Sequence, residues 1–436
     1  MVRGEAARRM AAATVALGVG LATLFAVTAA QAETTVTNET IVNPAVSEEL
    51  VPLAHGRTAE QGSLSYVLYR TRFGWKPYVY VRDTASTTVA HVALPEDPAA
   101  PGRWDDASYA VSPAGELWTL SGSGPVLVRR YRFSGGSVPT TAALVSTTTF
   151  GDADSRAGGL VVLASGNVVG VWHQQGTTGG NGLGVAYWNG TTWTTTMLDF
   201  MPTMASKQAV VQHPGDGSVW LFNDPDAWHA IGAAHLTETP AGLTVDWTDP
   251  THIDVPTYGA YGPDSENPDI EAAADPSTGT VVLAYQGDVR RTFSTSPVVT
   301  GSYPVIARIP ASGSLTFVSF PTWVERISAL GVIARPGEVR LAYRPIDQAT
   351  LTFADVYRAR YDTTTATWDA PVRLGTSYGT YDRIGFGVTR MELTVRMGDA
   401  KIHRFSPQPV PNASTTTSTT TTTSSTTTKS AKKPRR

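Results

Sequence analysis

Cysteine is absent from all 436 residues, which excludes disulfides, thiol chemistry, iron–sulfur clusters and cysteine-based zinc sites together. Charge is sparse as well. Only 16% of residues are Asp, Glu, Lys or Arg, and beyond residue 32 no segment carries the 3.6-residue apolar period of a long amphipathic helix. The eight histidines include no His-x-x-x-His or His-Glu-x-x-His pair, so a helical zinc centre is excluded. His173, His213, His229 and His235 are expected to be structural or exposed. No Gly-x-Ser-x-Gly elbow, phosphate loop or dinucleotide fingerprint is present, and Gly122-Ser123-Gly124 and Gly179-Gly180-Asn181-Gly182 read as loops. The body of the chain is long enough to bury an ample apolar core without covalent staples.

The two ends differ from the body. Residues 1–32 have the form of a signal peptide: Arg3, Arg8 and Arg9, an apolar run from Ala11 to Ala30, and the small-x-small site Ala30-Gln31-Ala32. The alternative is a retained anchor, since the run approaches the roughly 20 residues that span a bilayer; Ala and Gly dilute it, which favours cleavage. No later stretch is apolar enough to cross a membrane. Residues 408–436 form a Thr/Ser-rich tail ending in Lys429, Lys432, Lys433, Arg435 and Arg436. Having nothing apolar to bury, it is expected to be disordered, a stalk with a basic end that binds anionic polymer or simply stays solvated. The whole chain is −3. Setting aside three Arg and one Glu in the leader and five basic residues in the tail leaves residues 33–407 at −10. An acidic body argues against nucleic acid as the partner of the folded domain.

What the body does have is repetition. A unit of roughly 45 to 60 residues recurs about six times: polar residues, a short apolar strand, a turn, a second strand, then an aromatic-rich third. Its copies include Ala107 to Leu120, Gln208 to Phe222, Asn267 to Gln286 and the degenerate Ser328 to Tyr343. Ser63 to Arg70, Pro77 to Asp83, Pro125 to Phe133 and Ala400 to Ser406 alternate apolar with polar residues, as half-buried strands do. Turn signals separate the strands, among them Asn189-Gly190, Asp216-Gly217 and Arg335-Pro336-Gly337. Units fall near 51–103, 104–151, 152–200, 201–256, 257–322 and 323–375, with a last unit from 376 to 407. The pattern predicts an all-β fold, a β-propeller, with seven blades preferred and six if the first and last units share one. The first unit shows no obvious innermost strand and the last no outer one, and Thr34 to Val42 is the candidate to close the ring.

The phrase Ser265-Glu266-Asn267-Pro268-Asp269-Ile270, followed by Asp275-Pro276-Ser277-Thr278-Gly279, resembles the inner-strand-to-turn segment of sialidase-like propellers and their Asp-box relatives. Gly190-Thr191-Thr192-Trp193 is similar to the second half of the Asp-box, Ser-x-Asp-x-Gly-x-Thr-Trp, with Ala186 and Trp188 at the Ser and Asp positions. Thr367-Trp368 keeps only the final pair. Relatives of this kind clamp a substrate carboxylate with three arginines, use an Asp as acid/base and a Tyr–Glu pair as nucleophile, and carry an N-terminal Arg-Ile-Pro. Here Arg308-Ile309-Pro310 lies late in the chain, on what reads as an outer strand.

Ligands of propellers meet the starts of the inner strands. Those positions hold Asp105 and Asp106; Asp152, Asp154 and Arg156; Lys207; Asp264 and Glu266; Glu325 and Arg326; and Tyr381, Asp382 and Arg383. Arg156, Arg326 and Arg383 facing one pocket would hold a carboxylate by paired, charge-assisted hydrogen bonds. Asp106 or Asp154 would then be the general acid, and Tyr381 with Glu266 would act at the sugar carbon. The plain alternative is that all are solvated rim residues. Trp104, Trp172, Trp193, Trp228 and Trp323 are candidate platforms for sugar rings, whereas Trp118 and Trp220 read as core. No cofactor is implied. Asp152-Ala153-Asp154 and Asp224-Pro225-Asp226 suit Ca²⁺ weakly and turns better.

These readings combine into a secreted, monomeric propeller, held near the cell envelope or released into the medium, that recognises extracellular carbohydrate or a surface polymer without cleaving it. A sialidase-like glycoside hydrolase acting on acidic sugars is the first alternative and a protein-docking scaffold the second.

Overall fold

A computed structural model describes residues 36–53, 56–99, 104, 107–174, 182–198, 208–223, 230–254, 270–275, 277–293, 296–310, 315–319, 327–345, 355–376, 385–387 and 393–407. Every regular element among them is a strand, and the strands form seven small antiparallel sheets set as the blades of a propeller. Blades 2 to 5 are simple meanders of four strands. Blade 2, for example, runs Ala107–Val111, Glu116–Ser121, Val126–Ser134 and Thr141–Phe150 from the axis outwards, and blade 3 runs Ser155–Val162, Val168–Gln174, Gly182–Trp188 and Trp193–Leu198. Blade 4 opens with Gln208–Gln212 and Val219–Asn223, blade 5 with Ile270–Asp275, and blade 6 with Ile327–Arg335. Neighbouring innermost strands lie side by side all the way round.

The ring closes through its N-terminal strand. Val36–Ile41 lies antiparallel to Ile402–Pro407 and supplies the outer strand of blade 7, whose other strands are Gly385–Gly387 and Leu393–Arg396. The register runs from Val36 opposite Pro407 to Ile41 opposite Ile402. Val36–Ile41 thus covers what would otherwise be the edge strand Ile402–Pro407 and joins the two ends of the ring.

Blade 1 does have an innermost strand, in two pieces. Leu50–Pro52 pairs with the far half of the second strand, Leu64–Thr71, and Gly56–Gln61 pairs with its near half. Gly56 to Thr58 pairs in parallel with Gly385 to Gly387 of blade 7. The sequence hid this strand because neither piece alternates apolar with polar residues.

The core sits between the blades. Seven clusters of buried apolar side chains occur among the described residues, one at each blade-to-blade interface. Second strands are therefore covered on both faces, and Glu116–Ser121 and Val219–Asn223 are buried along their whole length. Trp118 and Trp220 belong to this core. The blade 2–3 interface is aromatic: Phe150 stacks on Trp172 with centroids 5.4 Å apart, and Trp193 meets Trp118 and Trp188 at 5.9 and 5.5 Å. The Trp-ended hairpin is pinned by Asn189, whose Oδ1 accepts the N–H groups of Thr191 (3.0 Å) and Thr192 (2.8 Å), while Gly190 takes φ +94°. Asp362 holds the second such hairpin in the same way, through the N–H groups of Thr364 and Thr365.

Candidate functional site

Innermost strands start at one mouth of the ring, and because the sheets are antiparallel, second strands end there too. Blade 3 shows how this mouth is built. Asp152 Oδ1 accepts the N–H of Asp154 (3.0 Å) and the hydroxyl of Ser155 (3.1 Å), and its Oδ2 accepts from Gln174 Nε2 (3.2 Å). Asp152 thus forms a side-chain turn of the kind Asp favours before a strand. The backbone of Arg156 bridges to Ser123 of blade 2, with Ala157 N–H donating to Gly122 O at 3.0 Å and Gly124 N–H donating to Ser155 O at 2.8 Å. Gly122 and Gly124 sit at φ +121° and +97°, where a side chain would be strained, so the loop reaches blade 3 because those positions are glycine.

Asp154 and Arg156 flank the buried Ser155 and are both exposed. Below Arg156 lies His173, its ladder partner, which is 3% exposed. Burial, with the Arg156 guanidinium adding to it, holds the His173 imidazole below its usual pKa, so it is neutral. Beside them, Gln208 of blade 4 donates through Nε2 to Asn223 Oδ1 at 3.4 Å, and it lies so near Gly158 that a Cβ there would meet Gln208 Oε1 at 2.4 Å. Exposed charge therefore rests on a fixed layer of amides, hydroxyls and carboxylate.

Sequence reasoning missed the contribution of blades 1 and 7. Glu48 and Glu49 precede the first piece of the blade 1 inner strand, the same position that Asp152 to Asp154 occupy in blade 3. Glu49 is held by Arg72 of blade 1 (2.5 Å) and by Arg396 of blade 7. Burial raises the Glu49 pKa and the two guanidiniums more than reverse this, leaving it below the ordinary value. Glu48 is lowered chiefly by the N–H groups of Gly74 and Phe73. The signal was an acidic pair ahead of the short apolar run Leu50-Val51-Pro52, obscured because the strand breaks off after three residues.

Of the candidates named from the sequence, Asp154 and Arg156 are brought together at this mouth. Trp104 is not a platform. It has no exposed surface, its indole N–H donates to Glu96 Oε1 (2.8 Å), and the Arg129 guanidinium covers its ring at 5.0 Å. Trp172 is likewise buried in the blade 2–3 core. Asp106, Lys207, Glu266, Trp323, Arg326, Tyr381 and Arg383 lie outside the described residues, as do Trp228 and the Asp224–Asp226 pair. Among the described residues no three His, Asp or Glu side chains gather as a metal cage. Among the same residues no helix is long and apolar enough to cross a membrane.

No protein-family model matches this chain, and no curated protein matches it. Solved structures do. Over 87% of its length, and 93% of the other chain, it is similar to polysaccharide lyase Uly1, at 11% identity and a TM-score of 0.45. A chain of the mitotic checkpoint complex is matched over 84% and 95%, at 12% identity and TM-score 0.47. The phage phi92 endosialidase is matched over 92% and 72%, at 10% identity and TM-score 0.44. The names span unrelated activities, and likeness at 10–12% identity does not reach the side chains at the mouth.

Proposed function

We propose that this protein is an exported propeller that recognises a carbohydrate or surface polymer at the mouth described above and does not cleave it. The observation that carries the reading is the blade 3 rim, where exposed Asp154 and Arg156 stand on the fixed Asp152–Ser155–Gln174 lattice. A polyol is bound by such convergent donors and acceptors that are ordered before it arrives, because little further ordering has to offset the contact energy. Acid–base chemistry asks for something else, a carboxyl held protonated near neutral pH. The displaced carboxyls on the mouth side, Glu48, Glu49 and Asp355, are all displaced downwards, which suits accepting hydrogen bonds.

Export by the leader of residues 1–32 is part of the proposal, and N-terminal sequencing of protein recovered from the medium tests it. The binding reading is tested by a glycan array followed by calorimetry on the full chain. Binding of at least one oligosaccharide, weakened tenfold or more in Arg156→Ala, is expected. An array without a single bound glycan overturns the reading. Release of fluorophore from sialosides or uronides, abolished in Arg156→Ala, would replace it with the hydrolase.

A further inference from the structure

We propose that the turn from Arg72 to Lys76 on blade 1 is a sugar-stacking platform, on which Trp75 and Phe73 receive the apolar faces of pyranose rings of a polysaccharide. This rests on the reading that the mouth binds carbohydrate and adds a second, separate contact to it. The turn joins the second strand of blade 1, Leu64–Thr71, to the third, Pro77–Asp83, so it rises at the same mouth as Glu48 and Glu49.

Two aromatic rings are open there. Phe73 is 74% exposed and Trp75 42%, and no other aromatic stands among the exposed large hydrophobics of the described residues. Everything around them is fixed. Glu48 Oε2 accepts the N–H groups of Phe73 (3.0 Å) and Gly74 (2.8 Å). Thr71 N–H donates to Lys76 O (3.0 Å), Lys76 N–H donates to Thr71 Oγ1 (3.2 Å), and Arg72 N–H donates to Glu49 O (2.9 Å). A Cβ at Gly74 would meet Glu48 Oε1 and Thr71 Oγ1 at 3.0 Å, so a larger residue there would have to push this carboxylate back by a few tenths of an ångström. The Arg70 guanidinium lies 3.8 Å from the centre of the Trp75 ring and fixes its tilt.

The backbone supplies a further pointer. Trp75 has φ +55°, in the left-handed region that a bulky side chain avoids. Strain of that kind is held where the surrounding structure over-determines it, and it gathers at ligand clamps. At this strained position the indole keeps 42% of its surface open.

A rigid aromatic pair suits a sugar. Stacking on a pyranose needs a ring already oriented, and a fixed ring loses little entropy on binding.

The test is a tryptophan-fluorescence titration of the full chain with cellohexaose, laminarihexaose, chitohexaose and hexagalacturonate. Wild type, Trp75→Ala, Trp75→Phe, Phe73→Ala and Arg156→Ala are compared, with sedimentation on phosphatidylglycerol vesicles in parallel. The expected result is that Trp75→Ala weakens binding of a hexamer at least tenfold. Trp75→Phe should stay within about threefold of wild type, since a phenyl ring still stacks. Phe73→Ala should fall between them. Because both side chains are exposed, urea midpoints should not move. Hexamer binding that is unchanged in Trp75→Ala overturns the platform and leaves the mouth standing if Arg156→Ala still weakens it. A wild type that binds no hexamer overturns both. Vesicle binding that needs Trp75, without hexamer binding, overturns the sugar in favour of a bilayer.

Discussion

Glu39 is the residue on which the closing strand is most directly secured. Its Oε1 accepts the Tyr80 hydroxyl at 2.6 Å, while Oε2 pairs with Arg82 and lies 3.7 Å from Arg404 Nη1. The strand Val36–Ile41 is thereby tied to its own blade through Arg404 and to blade 1 through Tyr80 and Arg82. Glu39→Gln keeps an acceptor for Tyr80 and removes the charge. At an effective dielectric near 20, one such pair at this distance is worth about 4 kcal/mol before solvation is counted. Glu39 is 35% exposed, which screens it, whereas Arg404 is only 2% exposed. The outcome should lie between an exposed pair, about 0–1 kcal/mol, and a broken buried pair, about 3–5 kcal/mol. We expect a loss of about 2 kcal/mol, or roughly 3 °C in Tm for a ring of this size. Urea unfolding followed by tryptophan fluorescence measures it, and a double-mutant cycle with Arg404→Met should return a coupling of about 1 kcal/mol or more. A Glu39→Gln protein within about 0.5 kcal/mol of wild type, or two variants whose effects simply add, would refute the reasoning.

Gly184→Ala should be destabilised by about 1–3 kcal/mol, because its Cβ would lie 2.0 Å from the Trp172 ring, which Phe150 prevents from retreating. Adding Trp172→Leu should recover part of the loss in urea midpoint, and a double variant less stable than Gly184→Ala alone would count against a packing cause. Acid should weaken the fold in two stages. Burial depresses His91 and His173 below 6.5, so the unfolded chain takes up those protons first and stability falls as pH drops through that value. Glu49 and Asp275 are depressed below 4.5 and 3.8, so their contribution is complete above those values and disappears as pH falls through their folded ones. Calorimetry from pH 8 to 3 checks the order, and a Tm that rises on acidification from pH 7 to 5.5 would exclude it.

Blade number was legible because each blade repeats one pattern of turns. Gly217 and Gly337 sit at φ +77° and +79°, the conformation that the Asp-Gly and Pro-Gly signals imply. The closing strand was legible because Thr34 to Val42 is rich in the β-branched residues of a strand and the last unit lacked an edge. Blade 1 was not, since Gly56–Gln61 is polar and pairs on its open side with a strand far away in sequence. The mouth was only half legible. Asp154 and Arg156 followed from position, but exposure is a tertiary property. Trp104, ahead of an inner strand, turned into the core, while Phe73 and Trp75, in an ordinary-looking turn, turned out of it.

The pairing of Val36 with Pro407 sets how the ring bears load. Both strand ends emerge at the same end of one antiparallel ladder, so tension drawn between them parts its hydrogen bonds singly, from Val36 towards Ile41, as a zipper opens. A pull directed along the ladder instead would strain all of those bonds at once. A propeller tethered at one strand end and gripping its ligand at the opposite rim therefore resists detachment according to the direction of the tug.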